Sequence, residues 1–133
     1  MNFTYPKSEK LKSKKTIDLL FSKGKSVSKY PLRLVYIECD FDTTESKEFE
    51  AEQKIKMGIS VSKKYFKRAV DRNYFKRLLR EAYRLNKHLL IDHLEKPHAF
   101  MFFYQSNDRL SYQEIEIKTI QLFEKCIQQL KKE

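Results

Sequence analysis

The 133-residue sequence predicts a single α+β domain, a small sheet with helices packed against it as a two-layer sandwich. Two observations predict it. Short runs rich in β-branched and aromatic residues, at 32–39, 55–61 and 98–104, read as strands. Segments whose apolar residues recur at helical spacing lie before, between and after them.

Residues 1–12 form an extended basic lead-in. Ile17, Leu20 and Phe21 then recur at helical spacing before Gly24, a natural helix stop, so this stretch reads as a short helix. Runs 32–39 (LRLVYIEC) and 55–61 (IKMGISV) follow as strands, and the turn-rich stretch between 24 and 62 leaves room for a further one. Between the two runs the charge reverses: Glu38, Asp40, Asp42, Glu45, Glu48, Glu50 and Glu52 face Lys47 alone. Residues 40–53 therefore read as an acidic loop, expected to point away from any face that binds a polyanion. The longest helical pattern covers 66–91, and 98–104 (HAFMFFY) fits a buried strand. Ser111 with Glu114 three positions on is a capping-box signature. It opens a last helix that turns Ile115, Ile120, Phe123, Ile127 and Leu130 to one side.

Lys and Arg number 28 against 18 Asp and Glu, a net charge of +10, and such an excess calls for a polyanionic partner. Ten Phe, eight Tyr and 41% hydrophobic residues supply a core and exclude wholesale disorder. With only Gly24 and Gly58 there is no Gly-rich phosphate loop, and no nucleophile motif is present. Cys39 and Cys126 make neither a disulfide framework nor a zinc spacing, which suits a reducing compartment. His88, His93 and His98 recur every five residues, a step of ~140° on a helix that scatters them, so they read as surface or strand-edge residues. No catalytic and no metal-ligating side chain is expected. The first residues lack an apolar signal core and no long uncharged apolar run occurs, so a cytoplasmic, soluble protein without a membrane partner is expected.

The chemistry is concentrated in residues 63–87, which hold ten basic residues and only Asp71 and Glu81 as acids. Steps of ~100° around a helix axis place Arg72, Lys76, Arg77, Arg80, Arg84 and Lys87 on one arc. Val70, Tyr74, Phe75, Leu78, Ala82, Leu85 and Leu89 fall opposite. A helix over 68–87 would run ~30 Å, enough for several phosphates of a nucleic-acid strand. Arginine forks bind phosphate oxygens bidentately, which favours nucleic acid over lipid headgroups. Asn73, on the basic arc, can both donate and accept toward a sugar or base edge. A merely solvated face would mix signs at four-residue spacing, and this one has almost no acids.

The stretch GISVSKKYFKRAVDRNYFKRLLREAYR, 58–84, resembles the protein subunit of bacterial ribonuclease P. The pattern is carried by Ser62, Lys63, Lys64, Ala69, Val70, Arg72, Asn73, Lys76, Arg77, Arg80 and Glu81. Likeness extends upstream to LKSKKTIDLLFSKGKSV and more loosely to the closing strand and helix. One departure stands out: the family's usual Arg-Asn-Arg is Arg72-Asn73-Tyr74 here. The acidic segment is also longer than the usual connection.

The resemblance implies a ribosomal-protein-like fold with a left-handed βαβ crossover, against the usual right-handed preference. It implies an accessory subunit of an endoribonuclease whose catalytic RNA, with Mg²⁺ bound mainly by RNA and substrate, removes the 5′ leader of precursor tRNA. The implied partners are that RNA and precursor tRNA, with no protein partner. Lys63, Lys64, Lys67, Arg68, Arg72, Asn73, Lys76, Arg77, Arg80 and Arg84 would then meet RNA. Ile17, Phe21, Arg33, Val35 and Tyr36 would line a cleft for the single-stranded leader, where bases stack on aromatic rings. A ribosomal protein or RNA chaperone would share the charge and the fold type, and the ordered signature from Ser62 to Glu81 separates these readings. A DNA-binding module is disfavoured by the lack of a paired helix-turn-helix pattern.

Overall fold

A computed structural model describes residues 5, 9–38 and 55–132. In chain order the elements are α1 (Lys14–Lys23), β1 (Lys25–Lys29), β2 (Leu32–Glu38), β3 (Ile55–Val61), α2 (Ala69–Asn86), α3 (His88–Ile91), β4 (His98–Tyr104) and α4 (Tyr112–Lys131). The strands form one sheet in the order β1-β2-β4-β3. β1 with β2 and β2 with β4 are antiparallel, whereas β3 and β4 run parallel, joined by the α2–α3 crossover. The α+β architecture and the three expected strands are borne out. β1 is the additional strand, and the acidic stretch 40–53 lies outside the described residues.

β4 is central and its HAFMFFY run is apolar on both faces, because both faces are covered. Phe100 and Phe102 join Leu34, Tyr36, Met57, Phe75, Leu79, Leu122 and Phe123 on the side of α2 and α4. Alternation turns Ala99 and Met101 the other way, where they pack with Val35 and with Leu20 of α1. The N-terminal half of α2 docks through aromatic rings: Phe66 stacks on Phe75 at 4.6 Å, and Phe75 lies 4.7 Å from Tyr104.

Local chemistry sets the helix ends. Ser13 caps α1, accepting from the Thr16 N–H at 3.3 Å. At the other end a Cβ on Gly24 would stand 2.3 Å from the Leu20 carbonyl oxygen, so glycine is required where the chain leaves α1. The capping box of Ser111 and Glu114 opens α4. The long helical pattern breaks at Lys87 into α2 and α3.

The lead-in is anchored. Leu11 N–H donates to the Met57 carbonyl at 3.1 Å, and Lys10 bridges Met57 in parallel, covering the open edge of β3. Glu9, 8% exposed, accepts from Tyr83 Oη at 2.8 Å and from Lys87 Nζ at 3.0 and 2.8 Å. Leu11 then packs over Gly58, where an added Cβ would meet the Met101 thioether at under 3 Å. Glu9→Ala would remove the carboxylate from a buried ion pair and is expected to lower stability by about 3–5 kcal/mol, read by urea denaturation.

Candidate nucleic-acid interface

α2 presents Asn73, Arg77 and Arg80 to solvent, with Lys76 half-exposed beside them. Its buried arc consists of Phe75, Leu79, Ala82, Tyr83 and Asn86. Two positions expected on the apolar arc are therefore corrected: Val70 is 59% and Tyr74 43% exposed. The core contact is centred on the 75–79–82–86 ridge, which leaves Val70 and Tyr74 at its rim. Lys87, expected on the basic arc, is buried instead, because the helix breaks there and Glu9 claims its ammonium.

Lys63, Lys64, Lys67 and Arg68 are exposed in the connection before α2. Arg72 turns back and donates from Nη1 to the Phe66 and Lys67 carbonyls at 3.1 and 2.7 Å, fixing that connection to the helix. Arg84 donates to Glu81, and this contact pulls the Glu81 carboxyl below its ordinary value. Among the described residues, Lys76, Arg77 and Arg80 make no ion pair, so the middle of the row is open to an external anion. Arg109, from the β4–α4 connection, adds a cation that sequence reasoning missed. It pairs with Asp71 at 3.2 Å and stands 5.8 Å from the Tyr74 ring centroid. No sequence spacing links 109 to 71; only the fold brings them together.

On the other face of the sheet, α1 sets Phe21, 60% exposed, 6.0 Å from the half-exposed ring of Phe103. Exposed Arg33 is the cross-strand partner of Phe103, so the two share this face. Ile17 is half-buried there, and Val35 is buried beneath. Tyr36 departs from the expected cleft set. It faces α4, where Gln129 Nε2 donates to its hydroxyl at 2.7 Å, since neighbouring strand residues point to opposite faces. Phe103, which the sequence reading did not name, takes its place on the open surface. His98, expected at the surface or a strand edge, is the first residue of β4 and is buried there, its Nδ1 2.8 Å from the Lys96 carbonyl oxygen. Among the described residues no group of three His, Cys, Asp or Glu side chains converges to hold a metal. No helix there is long and apolar enough to cross a membrane.

The basic helix thus lies on one side of the sheet, and an aromatic surface with an arginine on the other. The sequence pattern of the family described as Ribonuclease P matches residues 5–127. The chain belongs to the ribonuclease P protein family. The ribonuclease P protein component of Porphyromonas gingivalis strain W83 is 43% identical over 101 residues, 74% of this chain and 66% of that protein. The match thus spans slightly under two thirds of that relative's length. The component from Clostridium botulinum strain Langeland is 34% identical over 125 residues, 90% of this chain and 96% of that one. Among solved structures, the Staphylococcus aureus RNase P protein superposes with a TM-score of 0.67 at 20% identity, covering 89% of this chain and 94% of that one. The Thermotoga maritima RNase P protein gives 0.65 at 21% identity, covering 88% and 96%. These two likenesses carry the fold, including the ribonuclease P arrangement of a mixed sheet with packed helices.

Tyr5 holds the lead-in of this ribonuclease P protein from below. Its hydroxyl donates to the Met57 carbonyl and its ring meets Tyr83 edge-on at 5.1 Å. Burial, opposed by the Arg80 guanidinium and helped by the Glu9 carboxylate, pushes its phenol up to about 12. An unfolded tyrosine titrates near ~10. Between those two values the unfolded chain has lost the proton that the fold retains, so stability falls as pH rises through that window. Tyr5→Phe is expected to flatten this alkaline decline, measured as denaturation midpoints against pH; an unchanged slope would contradict it. Tyr83, raised further by burial and by Glu9, leaves part of the decline in place.

Proposed function

We propose that this chain is the protein subunit of a ribonuclease P ribonucleoprotein that removes the 5′ leader from precursor tRNA. The outward row Lys76, Arg77 and Arg80, on a helix that its family shares, is the observation that carries the reading. In it, α2 and the approach residues Lys63, Lys64, Lys67 and Arg68 dock on phosphates of the catalytic RNA. Arg72 keeps the approach in place. Arg84 exchanges its surface pair with Glu81 for an RNA phosphate. The leader lies on the opposite face, where Phe21 and Phe103 offer rings to unpaired bases and Arg33 offers a fork to the backbone.

Mg²⁺ belongs, in this reading, to the RNA and the substrate, and supplies the activated water there. The protein's contribution is positional and electrostatic: its cations offset phosphate repulsion where two RNA segments meet.

The protein alone should cleave nothing, and a bacterial ribonuclease P RNA should remove leaders at low Mg²⁺ only when the protein is added. Cleavage by the protein alone, or no gain on adding it, would overturn the assignment. Lys76→Ala with Arg77→Ala is expected to shallow the salt dependence of RNA binding by up to about two phosphate contacts, with thermal unfolding unchanged. Phe21→Ala, at an exposed site, should weaken precursor tRNA about tenfold while sparing mature tRNA, consistent with ~1–3 kcal/mol per stacked base. Equal losses on both RNAs would remove Phe21 from a leader contact.

A further inference from the structure

The lead-in does more than cover an edge. Where it crosses β3 it leaves a cleft of about 240 Å³, walled by Tyr5, Lys10, Lys12, Gly58 and Arg80. Three cations from two separate segments meet there, and among the described residues no carboxylate lines the space. Glu9, the nearest acid in sequence, spends its oxygens on Tyr83 and Lys87. The backbone around it is held: Tyr5 by the Met57 carbonyl, Lys10 and Leu11 by the β3 edge, Arg80 by the fourth turn of α2, with Lys12 exposed at the rim. Lys10 Nζ stands 5.5 Å from the Tyr5 ring centroid, which holds its stem along the cleft.

We propose that this cleft is an anion site that takes one backbone phosphate of an RNA, gripped by Lys10, Lys12 and Arg80. It deepens the reading that α2 docks on RNA and rests on it. The volume is below the ~300–1,000 Å³ of sites for drug-sized ligands, which suits a phosphate with part of its ribose. Two ammonium point charges and one planar fork are donors well suited to a phosphodiester. Arg80 also belongs to the row on α2, so the site extends the phosphate track from the helix onto the lead-in. Residues 9–12 are held by the fold itself, through Glu9 and the β3 edge, so little further ordering of them is required when RNA arrives.

The test uses the full chain, its Lys10→Ala/Lys12→Ala variant and a charge-matched control, Lys131→Ala/Lys132→Ala, at the far end of α4. Binding to a bacterial ribonuclease P RNA, to precursor tRNA and to mature tRNA is titrated across salt, with thermal unfolding alongside. The expected result is a slope of log affinity against log salt that shallows by about one in the cleft variant, with roughly tenfold weaker binding at low salt, and no such change in the control. Loss confined to the ribozyme assigns the phosphate to the catalytic RNA, and loss confined to the tRNAs assigns it to the substrate. Cleft and control variants losing equally would overturn the site in favour of a general charge effect, as would a cleft variant that binds every RNA like the parent. The single change Lys12→Glu, at an exposed position, should exceed the double alanine; a silent Lys12→Glu would also sink the site. Failure of the parent protein to bind any of the RNAs overturns the ribonuclease P reading itself, and is read from the parent alone.

Discussion

The buried carboxylate of Glu9 is the contact on which the arrangement of this surface depends. It accepts from the Tyr83 hydroxyl and the Lys87 ammonium, both at the C-terminal end of α2, and so ties the lead-in to the helix that carries the arginines. A buried charge is costly unless paired, so once Lys87 is enclosed the Glu9 partner becomes obligatory. From this anchor the chain runs along β3, seals its edge, and passes Leu11 over Gly58 to the other side of the sheet, where α1 begins. Both candidate RNA-facing surfaces are thereby positioned by one short segment.

A chain with net charge +10 must keep its cations from repelling the fold apart. It does so by separation. The side of α2 that meets the sheet is aromatic and aliphatic, with Phe75 stacked between Phe66 and Tyr104, and Tyr83 set edge-on to Phe123 of α4. Guanidinium groups stay outside, on a helix stiffened by that packing. Two of them are used internally: Arg72 bonds the carbonyls of its own approach segment, and Arg84 bonds Glu81. These contacts fix the approach segment to the helix at Arg72 and leave Lys76, Arg77 and Arg80 between them without an ion pair among the described residues.

Much of this was legible in the sequence because it is local. The strands over 55–61 and 98–104, the Ser111 capping box and the helix stop at Gly24 are written in neighbouring residues, and the basic residues of α2 at 76, 77 and 80 do face outward. What escaped depends on partners far along the chain. KSVSK carries a single apolar residue, Val27, so β1 exists by pairing with β2 and not by its own pattern. Sequence alone leaves open which of Arg33, Val35 and Tyr36 faces the cleft, because Leu34, Val35 and Tyr36 are all apolar and the parity of β2 is set by its distant partners. The same register raises Phe103 beside Arg33. Glu9 and Lys87 are 78 positions apart, and no spacing rule connects them.

Tyr74 shows how far a fold can move a charge. The resemblance leads one to expect arginine at this position of the signature, and a phenol there removes a cation from the N-terminal part of α2. Yet Arg109 brings a guanidinium to the same flank, 5.8 Å from the Tyr74 ring and 5.2 Å from that of Phe75, in line with the attraction of a cation for an aromatic face. Its ion pair with Asp71 is largely exposed on the arginine side, so it orients the group more than it stabilises the fold. The connection that delivers Arg109 is itself fixed, since the Tyr104 hydroxyl donates to the Asp108 carbonyl and accepts from the Leu110 N–H. Loss of charge within the helix and its supply from the β4–α4 connection are thus one geometric unit, in which the tyrosine ring is the surface against which the incoming arginine rests.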